Sequence, residues 1–330
     1  MNITIVGAGQ SGRGFLGRLA YLSQAQIVFI DQDKALVDAL NEQGMYQISF
    51  FGGKRAPLCV QGYVALYDDD DDAVTAIANA DLILTCVLAE NLSKILPLLK
   101  RAFSMREELP PVLVCENGVD PAMPLRNALS DDVKISEAVL LCTTCARGTD
   151  IVSQDLDFLP YDLTRLDAPI PIMGFFPEMR FDVLCRRKIY TYNCLSACIC
   201  YLGAEKGYES FAAAAVDPEI YEELLGLQAV LDRVIAREYS IPVAEQAAFS
   251  QAALDKFTNP ELDDSIARNA RDAHRKLGRT ERIIAPMLLA KAQGENITIF
   301  ERMIASAMDY GRREGTINID PTNIQALNDF

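Results

Sequence analysis

The sequence predicts an α/β protein in which a doubly wound parallel sheet is followed by an all-helical domain. Two observations support this prediction. From residue 1 to about residue 141, short apolar runs alternate with amphipathic segments, a pattern typical of parallel strands joined by crossover helices. Beyond about residue 180, only helical periodicity is left. We therefore expect two domains, residues 1–180 and residues 181–330.

The elements of the first domain are predicted in chain order. Four apolar strands, each followed by an amphipathic segment, are expected at residues 3–6, 27–30, 82–86 and 112–115. Further strands are expected at residues 46–51 and 58–67, and residues 149–177 form the end of the sheet and a connection. The acidic run at residues 68–72 favours a solvated turn that flanks a helix over residues 73–80, and a metal site is the weaker interpretation.

The second domain is predicted to contain helices alone. They cover residues 188–202, 219–238, 243–257, 264–277, 280–293 and 298–312.

Composition narrows the classes of partner. The chain has 330 residues, of which 50% are apolar, and a formal net charge of -15. Nucleic acid and anionic membranes both require a basic surface, so neither is an expected partner, whereas a small anionic substrate would need a local basic pocket. The sequence shows no signal peptide and no apolar run of membrane-spanning length, which favours the cytoplasm.

Nine cysteines raise the question of a metal or redox site. Cys142 and Cys145 have the spacing of a ligand pair, but the sequence has no second such pair and only one histidine. We expect buried thiols and no metal.

A nucleotide-binding fingerprint follows the first predicted strand. Its turn consists of Gly7, Ala8, Gly9, Gln10, Ser11 and Gly12. Such glycines permit a tight turn and let backbone N–H groups approach a pyrophosphate at the start of a helix. The next strand ends at Asp31, whose carboxylate is placed to accept hydrogen bonds from the adenosine ribose. The sequence therefore predicts a Rossmann-like dinucleotide-binding domain.

The charges after the second strand favour NAD over NADP. Asp31 and Asp33 would repel a 2′-phosphate, and Lys34 is the one nearby cation that could attract it. Thr85 and Val87 lie at the end of the strand predicted at residues 82–86. They either line the cofactor's crevice or belong to the core of the sheet.

Lys188 and Asn193 are the candidate catalytic pair. Hydride transfer between a nicotinamide and a secondary alcohol needs a base for the hydroxyl proton and donors for the developing alkoxide. A lysine can be the base when burial and nearby cations lower its pKa, and Arg186 and Arg187 precede Lys188 directly. An amide five residues later, where an apolar helix is expected to begin, can hold the oxyanion.

The chain resembles the polyol-specific long-chain dehydrogenases from residue 1 to about residue 310. The resemblance is carried by residues 7–17, 115–117, Lys188 with Asn193, and residues 201–203, 257–260, 262–264, 275–277, 282–284 and 286. It implies Lys188 as general base, with Asn193 and Asn117 as partners of the oxyanion. From the sequence alone, Asn117 also suits a turn residue.

The implied reaction interconverts a polyol or its phosphate and the corresponding ketose with NAD. Mannitol 1-phosphate and fructose 6-phosphate are the favoured pair. The active site is expected in a cleft between the two domains. One departure from the family signature concerns this site: a histidine is expected three residues after Asn193, and Ser196 stands there. Serine cannot carry a positive charge, so any proton-relay role of that histidine is changed.

Residues 268–282 form the most basic stretch of this acidic chain, with six basic and two acidic residues. The stretch is either a solvated helix face or an anion pocket. The resemblance implies that Arg271, Arg275 and Lys276 lie near the active site, and we expect the single histidine, His274, to be a bystander.

Three other functions stay open. A fructuronate- or tagaturonate-type sugar-acid reductase would use the basic stretch to bind a carboxylate. A ketopantoate-reductase-like enzyme is disfavoured, because its asparagine follows the lysine by four residues and here the spacing is five. The third is an NAD-binding sensor that has lost turnover.

Overall fold

The computed structural model describes residues 1–118, 120–261 and 264–317 of the chain. Leu262 and Asp263, which belong to one of the stretches that carry the resemblance, lie outside the described residues. The chain forms two compact units, Met1–Phe181 and Asp182–Phe330.

A six-stranded parallel sheet is the centre of the first unit. Its strands are β1 (Asn2–Val6), β2 (Gln26–Asp31), β5 (Val64–Tyr67), β6 (Leu82–Thr85), β7 (Val112–Val114) and β8 (Ile135–Glu137). They lie in the order β5-β2-β1-β6-β7-β8. The chain adds β2 and β5 on one side of β1 and then crosses to the other side for β6. The carboxyl ends of β1 and β6 therefore form the switch point at which open parallel sheets bind ligands.

Both faces of this sheet are covered, which confirms the doubly wound prediction. A continuous helical segment follows β1 and consists of a π-helical turn (Gly12–Gly17) and α1 (Arg18–Leu22), and it buries Phe15 and Leu16 against one face. The opposite face packs against α3 (Asp71–Ala78) and α4 (Leu96–Phe103). The other helices of this unit are α2 (Lys34–Gln43), α5 (Met123–Ala128) and the short 3-10 turns Phe51–Gly53, Ala89–Ile95 and Leu163–Arg165.

Smaller sheets complete the first unit. One contains β4 (Leu58–Gln61), β3 (Met45–Phe50), β10 (Asp150–Ser153) and β9 (Thr144–Arg147) in that order, and the other pairs β11 (Leu159–Asp162) with β12 (Phe175–Glu178). The predicted single strand at residues 58–67 is therefore two strands that join different sheets. Gly62 separates them, with a φ of 75° that favours glycine.

Arg18 fixes the glycine-rich helix against the segment that follows β10. Its side chain is 0% exposed, and its guanidinium donates to Ser153 Oγ at 2.8 Å and to the Leu156 carbonyl at 2.7 Å. Its Nε also lies 3.1 Å from a carboxylate oxygen of Asp157. A buried cation is tolerated only with such compensation, so these bonds set the position of the helix that carries the nucleotide fingerprint.

The described part of the second unit contains helices, in agreement with the predicted all-helical domain. They are α6 (Phe181–Lys188), α7 (Cys194–Glu205), α8 (Phe211–Ala215), α9 (Pro218–Tyr239), α10 (Val243–Phe257), α11 (Ile266–Ala270), α12 (Ala273–Lys276), α13 (Ile284–Ala292) and α14 (Thr298–Arg313). Helix α7 is buried almost throughout and packs against α8, α9, α11 and α14.

Two predicted helices of this unit differ from the structure. The helix expected to begin at residue 188 starts at Phe181, so Lys188 ends α6 and does not begin a helix. The helix expected at residues 264–277 is interrupted, because Asp272 has a left-handed φ of 62° and separates α11 from α12. No helix in the described part of the chain is long and apolar enough to cross a membrane.

Candidate active site

The three fingerprint glycines have different surroundings, and each agrees with a separate requirement of a dinucleotide site. Gly7 has a φ of 103°, and a Cβ there would lie 2.2 Å from the Cys86 carbonyl oxygen. A Cβ on Gly12 would lie 1.9 Å from the Gly7 carbonyl oxygen. A Cβ on Gly9 would meet nothing within 4 Å. Gly7 and Gly12 are therefore required by the turn itself, whereas the space beside Gly9 admits a close approach by a pyrophosphate.

Asp31 holds the glycine-rich turn as well as the end of β2. One carboxylate oxygen accepts a hydrogen bond from the Ala8 N–H at 2.6 Å, and the other accepts one from the Asp33 N–H at 2.9 Å. A carboxylate has about four lone-pair positions, so acceptor capacity is left for ribose hydroxyls. Lys34 Nζ lies 2.9 Å from a carboxylate oxygen of Asp69, and this ion pair opposes a role for Lys34 in binding a 2′-phosphate.

The last residue of β6 and the residues that follow it have different environments. Thr85 is completely buried, so its side chain belongs to the core of the sheet, which was one of its two predicted roles. Val87 is half-buried, and its backbone N–H donates to the Glu116 carboxylate at 2.6 Å. The next residue, Leu88, has φ 72° and ψ 139°, which is rare outside glycine, and its side chain is 62% exposed.

Gln10, Ser11 and Asn117 lie at the same carboxyl edge of the sheet. Gln10 is exposed, and the Ser11 hydroxyl lies 3.4 Å from the Thr144 hydroxyl. Asn117 directly follows the buried Glu116 after β7, and it is exposed. The bend that carries Asn117 is anchored beyond it by Glu137, whose carboxylate accepts a hydrogen bond from the Ala122 N–H at 2.9 Å.

A π-helical turn (Ile189–Asn193) separates α6 from α7 and changes the angle around the helix axis between Lys188 and Asn193. In an α-helix, residues five apart point about 140° away from each other, since each residue turns the helix by about 100°. In a π-helix the hydrogen bonds join residues five apart, so such residues stack on one side. Lys188, Ile189, Asn193 and Ser196 are half-buried, whereas Tyr190, Thr191, Tyr192, Cys194 and Leu195 are buried. The five-residue spacing therefore matches the π-helical turn.

Burial is the main cause that lowers the pKa of Lys188 to about 8, and the positive charges of Lys256 and Arg282 lower it further. The nearby Cys185 thiol acts in the opposite direction. An amine with this pKa is partly neutral near physiological pH and can accept a proton.

Lys276 belongs to the same group of cations. It is buried, its Nζ donates to the Asn269 carbonyl at 2.5 Å, and burial together with the charge of Arg282 lowers its pKa to about 8. We call Lys188, Lys256, Lys276 and Arg282 the cationic cluster. Like charges held close together destabilise one another, so an anionic ligand would stabilise this cluster.

Arg275 also lowers the pKa of Lys276, but it differs from the members of the cationic cluster in its own surroundings. Arg275 is ion-paired with Asp272 at 2.5 Å and with Glu281 at 3.0 Å, so its charge is already compensated. Arg271 and His274 are exposed. The prediction that Arg275 binds an anion is therefore disfavoured by its geometry. Arg282, which was not among the predicted site residues, is ion-paired among the described residues with Glu281 alone, at 3.3 Å, and its charge acts on both Lys188 and Lys276.

Ser196 interacts with the next turn of its own helix. Its hydroxyl forms a hydrogen bond with the Cys200 thiol four residues later, while burial raises the pKa of that thiol to about 12. The position where the family signature has an imidazole therefore carries a small neutral group that is bonded within α7.

The nine cysteines, all of them within the described residues, form no disulfide bond with one another. Among the described residues, no three His, Cys, Asp or Glu side chains lie together as a metal site would require.

Comparison with known proteins decides the family. Residues 1–144 match the model of the mannitol dehydrogenase Rossmann domain, and residues 182–325 match that of the mannitol dehydrogenase C-terminal domain. The chain belongs to the mannitol dehydrogenase family. This confirms the resemblance, and it makes the chain an NAD-dependent polyol dehydrogenase by class.

The chain is also similar to a curated relative in sequence and to two solved structures in fold. Mannitol-1-phosphate 5-dehydrogenase of Geobacillus thermodenitrificans (strain NG80-2) is 28% identical over 320 residues, covering 90% of this chain and 82% of the relative. The crystal structure of D-sorbitol dehydrogenase in substrate-free form has a TM-score of 0.78 at 14% identity, covering 94% of this chain and 80% of that one. Pseudomonas fluorescens mannitol 2-dehydrogenase, in a ternary complex with NAD and D-mannitol, has a TM-score of 0.73 at 12% identity. The match covers 94% of this chain and 79% of that one.

Proposed function

We propose that the chain interconverts a polyol phosphate and a ketose phosphate, with mannitol 1-phosphate and fructose 6-phosphate as the substrate pair. The observation that carries this proposal is Lys188, whose pKa is lowered to about 8 within the cationic cluster and whose position relative to Asn193 is set by a π-helical turn. A base of this pKa suits proton transfer from a hydroxyl, and the surrounding cations suit an anionic substrate.

In polyol oxidation, the neutral amine of Lys188 accepts the hydroxyl proton, and the Asn193 amide donates to the oxygen as its negative charge develops. Asn117 supplies the second donor, a role taken from the family resemblance alone. In ketose reduction the ammonium of Lys188 returns the proton. Ser196 can donate one hydrogen bond to substrate or water in place of its bond to Cys200.

The phosphate group is assigned to Lys276 and Arg282. Lys276 is buried and its pKa is lowered, which are the properties of a cation that gains from an anionic partner. Arg282 contacts one carboxylate, Glu281, through its Nε, so its two terminal nitrogens are the donors proposed for the phosphate. Arg271 stays a candidate at the exposed rim, whereas Arg275 is the weakest of the predicted anion ligands because two carboxylates already bind it.

NAD is held by the first unit in this proposal. The Gly7–Gly12 turn would receive the pyrophosphate at Gly9, where the structure leaves space for it, and Asp31 would accept the ribose hydroxyls. Val87 would lie beside the nicotinamide half. The cofactor, when bound, supplies the acceptor or donor of the hydride.

A panel of ketoses tests the proposal. Purified protein should oxidise NADH most efficiently with fructose 6-phosphate, and Lys188→Ala should lower kcat at least about 100-fold, since general base catalysis contributes about 10²–10⁴-fold. Lys276→Met should raise KM for fructose 6-phosphate much more than KM for fructose. Arg275→Lys is the matched control and should leave the ratio of the two KM values unchanged.

Other outcomes would assign a different function. Preference for fructuronate or tagaturonate would indicate the sugar-acid reductase, because the cationic cluster can also bind a carboxylate. Tight NADH binding without turnover on any compound of the panel would contradict catalysis and support the sensor.

A further inference from the structure

Gln246 lies at the centre of a buried polar network behind the π-helical turn. It belongs to α10, and its side chain is 0% exposed. Its amide oxygen accepts a hydrogen bond from Arg187 Nε at 3.1 Å, and its amide nitrogen donates to Thr191 Oγ1 at 3.0 Å. Arg187 directly precedes Lys188, and Thr191 lies within the π-helical turn. One side chain of α10 thus binds a residue on either side of Lys188, the proposed base.

The same network continues into α9. The Gln246 amide also bonds the carboxylate of Asp232, and Ser250 Oγ donates to Asp232 Oδ1 at 2.6 Å. Gln228 Nε2 in turn donates to Ser250 Oγ at 3.1 Å. Thr191, Gln228, Asp232, Gln246 and Ser250 are buried, and Arg187 at the edge of the network is half-buried. A buried polar network of this kind specifies one arrangement, because each lost bond leaves an unsatisfied polar group.

The geometry uses the oxygen and both N–H groups of the Gln246 amide. An amide offers one carbonyl acceptor and two N–H donors, and here the acceptor faces a cation while the donors face a hydroxyl and a carboxylate. A carboxylate in the place of this amide would face Asp232, and a hydrocarbon would leave Arg187 and Asp232 without this partner. Glutamine is therefore the side chain that this position requires.

A π-helical turn needs such support. It is rare in proteins, and it occurs mostly as a single turn at functional sites. The aromatic packing on the same face adds to the network, because the guanidinium of Arg187 lies 4.7 Å from the ring centre of Phe249, and Tyr192 contacts the same ring at 5.0 Å.

We propose that Gln246 is a positioning residue for the reaction, because its bonds to Arg187 and Thr191 hold the π-helical turn that places Lys188 and Asn193 on the same side. The bonds of Gln246 to Arg187 and Thr191 act on Lys188 and Asn193 through the backbone between them. This inference rests on the proposed role of Lys188, and it adds that a side chain of α10 sets the position of the base.

Loss of the π-helical turn should raise the pKa of Lys188. The charged groups that act on its amine are Lys256 and Arg282, the Cys185 thiol acts in the opposite direction, and burial is the largest cause of the lowered pKa. If the π-helical turn relaxes into an α-helix, Lys188 rotates relative to these groups and gains contact with water. Its pKa should then rise towards the ordinary value of 10.5.

The decisive variants are Thr191→Val and Thr191→Ser in the full-length protein. Valine has the shape of threonine without its hydroxyl, so it removes the bond to Gln246, whereas serine keeps it. We expect Thr191→Val to raise the pKa of Lys188 by at least about half a unit and to lower kcat about tenfold or more, since small misplacement of a catalytic group has large effects on rate. KM for NADH should not change, and Thr191→Ser should restore the wild-type values.

Gln246→Leu is the second variant, and Gln251→Leu is its matched control. Gln251 lies on the same helix, is exposed, and its side-chain amide donates to Asp255 Oδ1 at 2.8 Å. Gln246→Leu should reproduce the effect of Thr191→Val, and Gln251→Leu should leave kcat and the pKa unchanged. If Gln246→Leu does not fold, the two threonine variants decide.

The pKa of Lys188 is read by NMR of ¹³C-methylated lysines, with Lys188→Arg to assign the signal, and this readout does not require turnover. A folded Thr191→Val protein with an unchanged Lys188 pKa and an unchanged kcat would overturn the inference, even if its melting temperature falls. If the wild type turns over no ketose, the proposed function fails, and the NMR titration still decides whether Gln246 positions Lys188.

Discussion

The Glu116 carboxylate accepts a hydrogen bond from the Val87 backbone N–H at 2.6 Å and a second one from the Leu88 N–H. Val87 and Leu88 belong to the loop that follows β6, and Glu116 belongs to the loop that follows the neighbouring strand β7. Leu88 has a strained backbone, and such strain persists only where surrounding bonds fix it. Glu116 thus holds the loop that carries Val87, a predicted cofactor contact, in one conformation.

Glu116 is expected to lower stability above neutral pH. Burial raises its pKa from 4.5 to about 7, whereas the unfolded chain keeps the lower value. Between these pH values the folded state binds more protons, so stability falls as pH rises through this window, and the full cost is present above pH 7. Glu116→Gln should therefore increase the free energy of unfolding at pH 8 by on the order of 1–3 kcal/mol, and by less at pH 5.5.

Urea denaturation at the two pH values measures this effect, with the exposed Glu108→Gln as control. A Glu116→Gln protein that is less stable than the wild type at pH 8 would contradict the expected gain in stability.

Glu116→Ala should weaken NADH binding about tenfold, about 1.4 kcal/mol, because the loop that carries Val87 loses both of its bonds to Glu116. Fluorescence titration with NADH gives that value.

Gly9 and Gly12 should respond in opposite ways to alanine. A methyl group on Gly9 meets nothing within 4 Å in the protein but fills the space assigned to the pyrophosphate. Gly9→Ala should change the free energy of unfolding by less than about 0.5 kcal/mol and weaken NADH binding at least about tenfold. Gly12→Ala should destabilise the fold, because its methyl group would lie 1.9 Å from the Gly7 carbonyl oxygen. Equal NADH affinity of Gly9→Ala and wild type would refute the assigned pyrophosphate position.

Asp31 should control the choice between NADH and NADPH. Asp31→Asn keeps an oxygen that can accept the hydrogen bond from the Ala8 N–H, and it removes the charge that repels a 2′-phosphate. We expect the ratio of the dissociation constants of NADPH and NADH to fall about tenfold, about 1.4 kcal/mol.

Asp81→Asn is the control for Asp31→Asn. Asp81 accepts a hydrogen bond from the Asn2 N–H at 2.7 Å, at the opposite end of β1, so the variant has the same change of charge at a distant position. If both variants change the ratio of the NADPH and NADH dissociation constants equally, the effect comes from net charge. Asp31 would then not select NADH over NADPH.

The nucleotide fingerprint could be predicted from the sequence because its determinants are local. Gly7, Gly9 and Gly12 act through turn geometry within six residues, and the strand before them and Asp31 after them are recognised by their order in the chain. The parallel sheet followed from the alternation of apolar and amphipathic segments in the same way.

The environment of the proposed base could not be predicted, because distant residues determine it. Gln246 binds the π-helical turn from 55 positions away in the chain, and Lys256 and Arg282 act on Lys188 from other helices. Neighbours in the sequence can also have opposite surroundings. Arg275 is exposed and ion-paired with two carboxylates, whereas Lys276 is buried and feels the charge of Arg282, because successive residues of a helix point in different directions.

Lys188 should show its lowered pKa in both activity and stability. Polyol oxidation requires the neutral amine, so kcat/KM for the polyol should rise about tenfold per pH unit below pH 8 and level off above it. Ketose reduction requires the ammonium, so its kcat/KM should fall above about pH 8. A midpoint near the ordinary lysine pKa of 10.5 would contradict the buried, cation-flanked environment of this amine.

The effect on stability follows from the same lowered pKa. Between about pH 8 and 10.5 the unfolded chain binds the proton that the folded state has released, so stability rises with pH there, and below pH 8 the cost of the buried charge is fully present. Lys188→Met should therefore be more stable than the wild type at pH 7 by on the order of 1–3 kcal/mol, with a smaller difference at pH 9.5. The exposed Lys291→Met is the control and should show no such trend. Loss of stability in Lys188→Met at pH 7 would show that the amine gains more from its partners than it loses by burial, and Lys188 could then not be the partly neutral base that the reaction needs.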